Sequence, residues 1–333
     1  MSKLIQKRFS NVFIAVLAEK NEYVLRYIVV KNDKILTNED KRFPMNEDKK
    51  FSSDIEEFLT SLEKNYKFVY TAYLLDSSGQ NCLPVCKEDE FSKYNIDKNK
   101  IVKVCVEDKW MVYSLKSDIQ WIKNLFDATG VDFIYSPFLI LNNFIHNKKQ
   151  KTKNNLFLLY TENFITLMIF DAQRLVFSAF FKIPFKEFEF SNDEEDLKPE
   201  ESDSIMDGIE LDNIESEDEE FDSFVDITKL DDMEDEDILE SAKEEVASST
   251  LEDLELYGRE VIIFKIISSA IEEYYKNDIY DSEFLEEIII YNDSNISNDI
   301  ITMIENDLFL DVELHSIDVK EEMINMSIKE ANL

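Results

Sequence analysis

The chain has 333 residues, 44% of them hydrophobic, with 25 Phe and 14 Tyr, enough for two domains or one large bilobal body with a sizeable core. Its formal net charge is −36, and residues 191–250 alone carry 26 Asp/Glu against 3 Lys. This balance excludes nucleic acid, which needs clustered cations, and direct adsorption to or insertion in an anionic membrane; a basic peptide or protein is the charge-compatible partner. The first eight residues are basic, but the apolar stretch 12–18 is too short for a signal h-region. No run approaches the roughly 20 apolar residues of a membrane span, so the expectation is a soluble cytosolic protein.

Residues 11–37 read as a β-meander, with strands over 12–18, 23–30 and 35–37 and polar turns at Glu19-Lys20-Asn21 and Lys31-Asn32-Asp33-Lys34. Residues 53–64 read as a helix: Ser53 caps it, Glu56 stands three residues on, and Ile55, Phe58, Leu59 and Leu62 share a face. A strand follows at 68–75, a polar connection at 76–94, and strands at 101–106 and 111–113. Residues 117–128 form the next predicted helix, with Gly130 beyond its end; 131–135 is a strand, and Pro137 opens a helix through Phe144. A basic turn at 147–155 leads into "LFLLYTENFITLMIFDAQRLVFSAFFKIPF", residues 156–185, whose apolar runs are broken at Tyr160-Thr161-Glu162-Asn163 and at 171–174. This is a hairpin at the heart of a core.

Residues 191–250 cannot bury enough apolar surface to offset their ordering entropy and read as a flexible acidic insertion, with helical propensity near 235–246. Ser249 or Thr250 then caps a long helix through Tyr275. A strand over 284–291, a turn over 292–297, an amphipathic helix over 300–308, a closing strand over 310–314 and a charged tail with helical potential at 319–333 follow. Cys82, Cys86 and Cys105 form no framework, and with His146 and His315 as the only histidines no zinc set exists; reduced thiols and no metal are expected. No Ser/His/Asp grouping stands out. Trp110 and Trp121 read as core or interface residues, and Phe185, Phe188 and Phe190 either as a partner patch or as the end of the core.

A meander followed by helices, occurring twice, resembles the duplicated lobes of the actin-like ATPase (ASKHA-type) fold. Four stretches in order carry the likeness: "SDIQWIKNLFDATGVDFIYSPFLILNNF", "NLFLLYTENFITLMIFDAQRLVFSAFFKIP", "LYGREVIIFKIISSAIEEYY" and "FLEEIIIYNDSNISNDIITMIENDLFLDVELHSID". In detail they are similar to the PilM family of type IV pilus assembly and to the cytoplasmic part of its type II secretion counterpart GspL. The resemblance implies an α/β bilobal fold. Its first lobe is 1–155, with a small inserted subdomain at about 50–130. Its second lobe is 156–190 with 251–318, interrupted by the acidic insertion 191–250 and followed by the tail 319–333.

In actin-like ATPases a strand ends in an Asp followed by a glycine-bearing turn, whose backbone N–H groups close on a phosphate while the Asp serves Mg²⁺. The corresponding turns here are Ala18-Glu19-Lys20-Asn21, Tyr160-Thr161-Glu162-Asn163 and Tyr291-Asn292-Asp293-Ser294-Asn295. None contains glycine; the four glycines are Gly79, Gly130, Gly208 and Gly258. The resemblance therefore implies a pseudo-ATPase with no cofactor. It implies a cytoplasmic scaffold, peripheral to the inner membrane, that docks on the cytosolic N-terminal tail of a PilN-like single-pass protein. The machine served would be a pilus, secretion, DNA-uptake or flagellar-motor-associated assembly, with self-association into a ring a further option. The tail would lie extended in a groove beside the inserted subdomain. Two alternatives stand: a working actin-like ATPase with divergent loops, and a regulatory binding module acting through its acidic insertion.

Overall fold

Strand β1 (Asn11–Glu19) is buried at nearly every position, a pattern that demands cover on both faces of its sheet. The computed structural model supplies that cover. It describes residues 7–46, 48–146, 154–171, 174–183 and 251–331, the last with side chains from 258 onward. β1, β2 (Glu22–Lys31) and β3 (Lys34–Pro44) form the expected antiparallel meander; β3 outlasts its apolar stretch because its polar residues still pair with β2, Phe43 opposite Tyr23. Helix α1 (Ser53–Asn65) brings the chain back so that β4 (Phe68–Leu74) lies parallel to β1, Ala72 beside Ala15. Ser52, not Ser53, holds the cap position of α1, and it makes no side-chain cap bond.

A three-stranded sheet is then inserted: β5 (Gln80–Leu83), a 3-10 helix at Glu88–Tyr94, β6 (Ile101–Val106) and β7 (Trp110–Leu115), in the order β5-β7-β6. It has a small core of its own around Phe91, Ile101, Met111 and Tyr113. Helix α2 (Lys116–Leu125), β8 (Phe133–Tyr135, parallel to β4) and α3 (Pro137–His146) complete the first half.

The second half repeats the plan. β9 (Asn155–Tyr160), β10 (Phe164–Asp171) and β11 (Arg174–Lys182) form an antiparallel meander. Helix α4 (Leu251–Lys276) precedes β12 (Glu287–Asn292), which lies parallel to β9; α5 (Asn298–Asp307), β13 (Asp311–Ser316) and α6 (Val319–Glu330) follow. The strand orders β3-β2-β1-β4-β8 and β11-β10-β9-β12-β13 are one topology used twice. This is the bilobal, duplicated actin-like α/β fold.

Strand alternation sorts the core into layers. Val12, Ile14 and Val16 of β1 face α1 and α2, packing with Ile55, Leu59, Ile122 and Phe126. Phe13, Ala15 and Leu17 face the other way, onto a central layer of α3 and α6 (Phe138, Leu141, Val319, Met323). Phe157 and Leu159 of β9 close that layer from the far side, while Leu156 and Leu158 pack outward on α4 and α5 through Ile263, Ile267, Ile300 and Ile304. The order is thus helix, sheet, helix, sheet, helix, and the near-continuous apolar strands follow from burial on both faces.

Several expectations change. Residues 319–333, read as a charged tail with helical potential, hold helix α6, and Val319 and Met323 are fully buried between the sheets rather than solvated. The insertion is narrower than 50–130, since α1, β4 and α2 pack in the first lobe and only β5, β6 and β7 form the separate sheet. Within the presumed polar connection 76–94, β5 pairs with β7 and docks on β11, where Ser178 Oγ donates to Asn81 Oδ1 at 2.7 Å. The thiols are not all reduced: Cys86 and Cys105 form a disulfide, with Cα atoms 5.6 Å apart, while Cys82 is free and buried. Cys86 lies past the end of β5 with its Sγ 3.2 Å from the Trp110 carbonyl at the start of β7, and β6 sets Cys105 opposite Met111 there, a proximity that spacing along the chain does not reveal. Among the described residues no helix is long and apolar enough to cross a membrane. The basic turn 147–153, the acidic insertion 191–250 and Phe185, Phe188 and Phe190 lie outside the described residues.

Candidate functional site

The parallel pairing of β9 with β12 sets Tyr160 opposite Asn292, so the second and third turns end side by side. The Asp293 amide then donates to the Tyr160 carbonyl at 3.0 Å. Asn163 ties the second turn to the first: its side chain accepts from the Lys20 amide at 3.2 Å and donates to the Ala18 carbonyl at 2.6 Å. All three turns expected from the sequence therefore meet in one cleft at the carboxyl ends of the strands, where open α/β sheets bind ligands. Its cavity is about 360 Å³.

The glycine-free turns are built on other local devices. Lys20 takes a φ of +45°, the left-handed region in which glycine is at ease and a Cβ is not. Thr161 closes the second turn on itself, its amide and hydroxyl both donating to the Phe164 carbonyl (3.1 and 3.0 Å) and its oxygen accepting from the Phe164 amide (3.1 Å). In the third turn Ser294 lines the cleft, and its carbonyl accepts from the Ile296 amide at 2.9 Å. The Asn292 carbonyl accepts from Ile317 at 3.0 Å.

Two of the three carboxylates of the cleft are met by protein cations, and the third by a backbone amide. Glu19 lies 3.6 Å from Arg42 and 3.8 Å from Lys320. Glu162 pairs with Lys20 at 2.5 Å, and Arg259 approaches it at 3.9 Å while donating to the Glu162 carbonyl at 2.6 Å. Asp293 accepts from the Val319 amide at 2.6 Å, at the start of α6. Burial pushes the Glu19 carboxyl above its usual range; Lys320 and Arg42 oppose the shift and Asp293 and Glu162 add to it. Burial raises Asp293 too, against the Val319 amide and Lys320. Tyr160, buried beside Arg259, is likewise raised by desolvation.

Arg42, Arg259 and Lys320 were not foreseen as site residues. Each comes from a different element, β3, α4 and α6, and no local pattern marks them. As arranged, the cleft is occupied by its own charge pairs, and several amides of its turns are committed to protein acceptors.

A second cavity of about 340 Å³ adjoins the first turn on its other side. Its lining mixes apolar side chains such as Tyr23, Trp121 and Phe164 with charged ones such as Lys20, Lys49 and Asp118, from both lobes and from the helix that follows the insertion. Trp121 stands at its rim, 40% exposed. Tyr73 is fully buried, and its hydroxyl has no hydrogen-bond partner among the described residues. Such a group costs free energy unless something answers it. Asp76 and Lys182 pair at 3.4 Å at the edge. Gly79 keeps the approach to α2 tight, since a Cβ there would lie 2.6 Å from Asp118 Oδ2.

An actin-like fold whose interlobe cleft is lined by its own ion pairs is the class these observations define. The chain belongs to the family described as a domain of unknown function, DUF8341, which matches residues 156–332; a second domain of unknown function, DUF8569, matches residues 9–142. No curated protein matches the chain. Among solved structures it is similar to a Bacteroides thetaiotaomicron VPI-5482 protein with an actin-like ATPase fold and unknown function, at 7% identity over 98% of this chain and 99% of that one, with a TM-score of 0.46. It is similar to the PilM–PilN type IV pilus biogenesis complex at 9% identity, over 95% and 90% of the two chains, TM-score 0.45. Ethanolamine utilization protein EutJ from Carboxydothermus hydrogenoformans follows at 7% identity, 95% and 89% coverage and a TM-score of 0.42.

Proposed function

We propose that this protein is a non-catalytic scaffold that holds the cytosolic tail of a PilN-like single-pass membrane protein. The observation that carries the reading is the self-paired cleft. A polyphosphate would have to displace the Lys20–Glu162 and Glu19–Arg42 pairs and find free amides where the Lys20 and Thr161 amides are already bonded. It would also face three carboxylates, Glu19, Glu162 and Asp293, at close range.

The groove beside Trp121 suits an extended peptide: Leu75, Trp121, Phe164 and Ile183 offer apolar contacts, while Lys49 and Asp118 are among its polar lining. The partner class follows the sequence resemblance to the PilM family, and positive-inside topology makes such a tail basic, a charge match for a chain of −36. On this reading the protein is cytoplasmic, bound to the inner membrane through its partner, and serves a pilus, secretion, DNA-uptake or flagellar-motor-associated machine.

Three measurements test it. Calorimetry with Mg-ATP is expected to give a dissociation constant no tighter than ~1 mM; a micromolar value would sink the non-catalytic part. Co-purification with the full membrane partner and with a version lacking its first ~20 residues, about the reach of a short extended tail, should recover only the former. Trp121→Ala should weaken tail binding by about tenfold, the scale of one apolar anchor. Equal recovery of both partner versions points away from tail capture.

A further inference from the structure

Strands β9, β12 and β13 run parallel, so their carboxyl ends meet the cleft while their amino ends form the opposite end of the second lobe. Six residues at ~3.3 Å each put that end about 20 Å from the cleft. It carries the two most exposed large apolar side chains among the described residues, Phe309 at 84% and Phe284 at 75%. Phe284 lies just before β12 and Phe309 just before β13, and the register sets Glu287 against Asp311, so both rings belong to one rim. Tyr275 and Ile279 are also exposed there, and the Tyr275 hydroxyl accepts from the Leu285 amide at 2.9 Å. Phe309 has a φ of +55°, a conformation bulky side chains avoid. Singly exposed apolar residues are ordinary, but a clustered aromatic patch marks an interaction site.

The charge around the patch is mainly acidic: Asp278, Asp281, Glu283, Asp307 and Asp311 lie beside it, and Lys276 is paired with Glu272. Arg174 reaches the rim, but it is shared between Asp171 at 3.6 Å and Asp281 at 3.8 Å. The link 147–153, which joins β9 through Asn154, has four lysines but no apolar side chain with which to cover a phenyl ring.

We propose that this far end of the second lobe, around Phe284 and Phe309, is a docking surface for a basic partner segment that presents apolar anchors between Lys or Arg side chains. A cationic amphipathic helix has that chemistry: its anchors cover the two rings while its cations face Asp281, Glu283, Asp307 and Asp311. A second copy of a chain at −36 is repelled, as is an anionic lipid surface. The surface is separate from the groove beside Trp121, so it gives a scaffold a second, independent contact.

The test uses the full-length protein and a fluorescent leucine–lysine peptide of about four helical turns with its leucines on one face. A control peptide has every leucine replaced by serine. The wild-type protein is expected to bind the leucine peptide at least ~10-fold tighter than the control. The Phe284→Ser/Phe309→Gly double variant should lose that preference while its affinity for the control is unchanged, because its charge is unchanged. A preference that survives in the double variant overturns the proposal. Phe309→Gly alone relieves the backbone and should melt no lower than wild type, which keeps the test readable if the double variant folds poorly. Sedimentation across concentrations is the remaining arm: a wild-type dimer lost in Phe309→Gly would make the occupant a second copy and overturn the basic partner.

Discussion

Asp293 follows β12 with a carboxylate oxygen 2.6 Å from the Val319 amide, and burial holds its carboxyl above the usual range. A raised acid favours the folded state when protonated, so its ionised form costs stability at neutral pH. That cost fades as pH falls through the raised folded value towards the ordinary 3.8. Asp293→Asn keeps the acceptor for Val319 and removes the desolvated charge. It is expected to raise the melting temperature at pH 7 and to lose that advantage as pH falls towards 3.8. Asp293→Ala also removes the acceptor and leaves the amide unanswered, a loss of about 1–2 kcal/mol. Thermal melts at the two pH values separate these outcomes; an Asp293→Asn protein less stable than wild type at pH 7 would mean that Lys320 and the helix terminus outweigh desolvation. The turns that carry Glu19, Glu162 and Asp293 could be located from the sequence because the resemblance to the actin-like turns is local, residue by residue. Arg42, Arg259 and Lys320 could not, because each is an ordinary surface-type cation until the two lobes close around it.

The strands and helices of both lobes were legible for a comparable reason: a strand buried on both faces is apolar throughout, and a helix on one face shows a stripe. Helix α6 escaped that logic. Its sequence is rich in Lys and Glu, yet Val319, Met323 and Ile324 point between the two sheets and Asp318 caps it by accepting from the Glu321 amide at 2.9 Å. A short amphipathic helix at a chain end is indistinguishable from a solvated tail until the surface that receives it is known. Met323→Ala is expected to destabilise the protein by about 2–5 kcal/mol, the cost of a cavity in a packed core. Denaturant unfolding should show the midpoint falling with an unchanged slope. A change below ~0.5 kcal/mol would return α6 to the status of a tail. The insertion was half legible: β6 and β7 alternate, but β5 is four residues long and is held by non-local pairing. The Cys86–Cys105 bond depends on that same pairing. Denatured without reductant, air-purified protein should therefore titrate one thiol, Cys82, and three titrating thiols would count against the bond.

At the scale of the whole molecule, charge and loop length act on stability together. Residues 191–250 contribute −23 of the −36 net charge, so replacing them with a Gly/Ser linker leaves a chain at −13. Self-repulsion of the compact state then falls, and most strongly at low ionic strength, where screening is weakest. Shortening the connection about fivefold also reduces the entropy of closing it by about 1.4 kcal/mol. Both effects have the same sign. The replaced protein is expected to melt cooperatively at an unchanged or higher temperature, with a larger gain in 10 mM than in 1 M salt. The segment's composition, rich in Asp, Glu and Ser with few core-forming residues, is the reason to expect no compensating loss. The decisive comparison is differential scanning calorimetry of the two proteins at both salt concentrations. A drop in melting temperature, or a broadened transition, would show that apolar residues such as Phe221, Phe224 or Ile238 contribute packing that outweighs both terms.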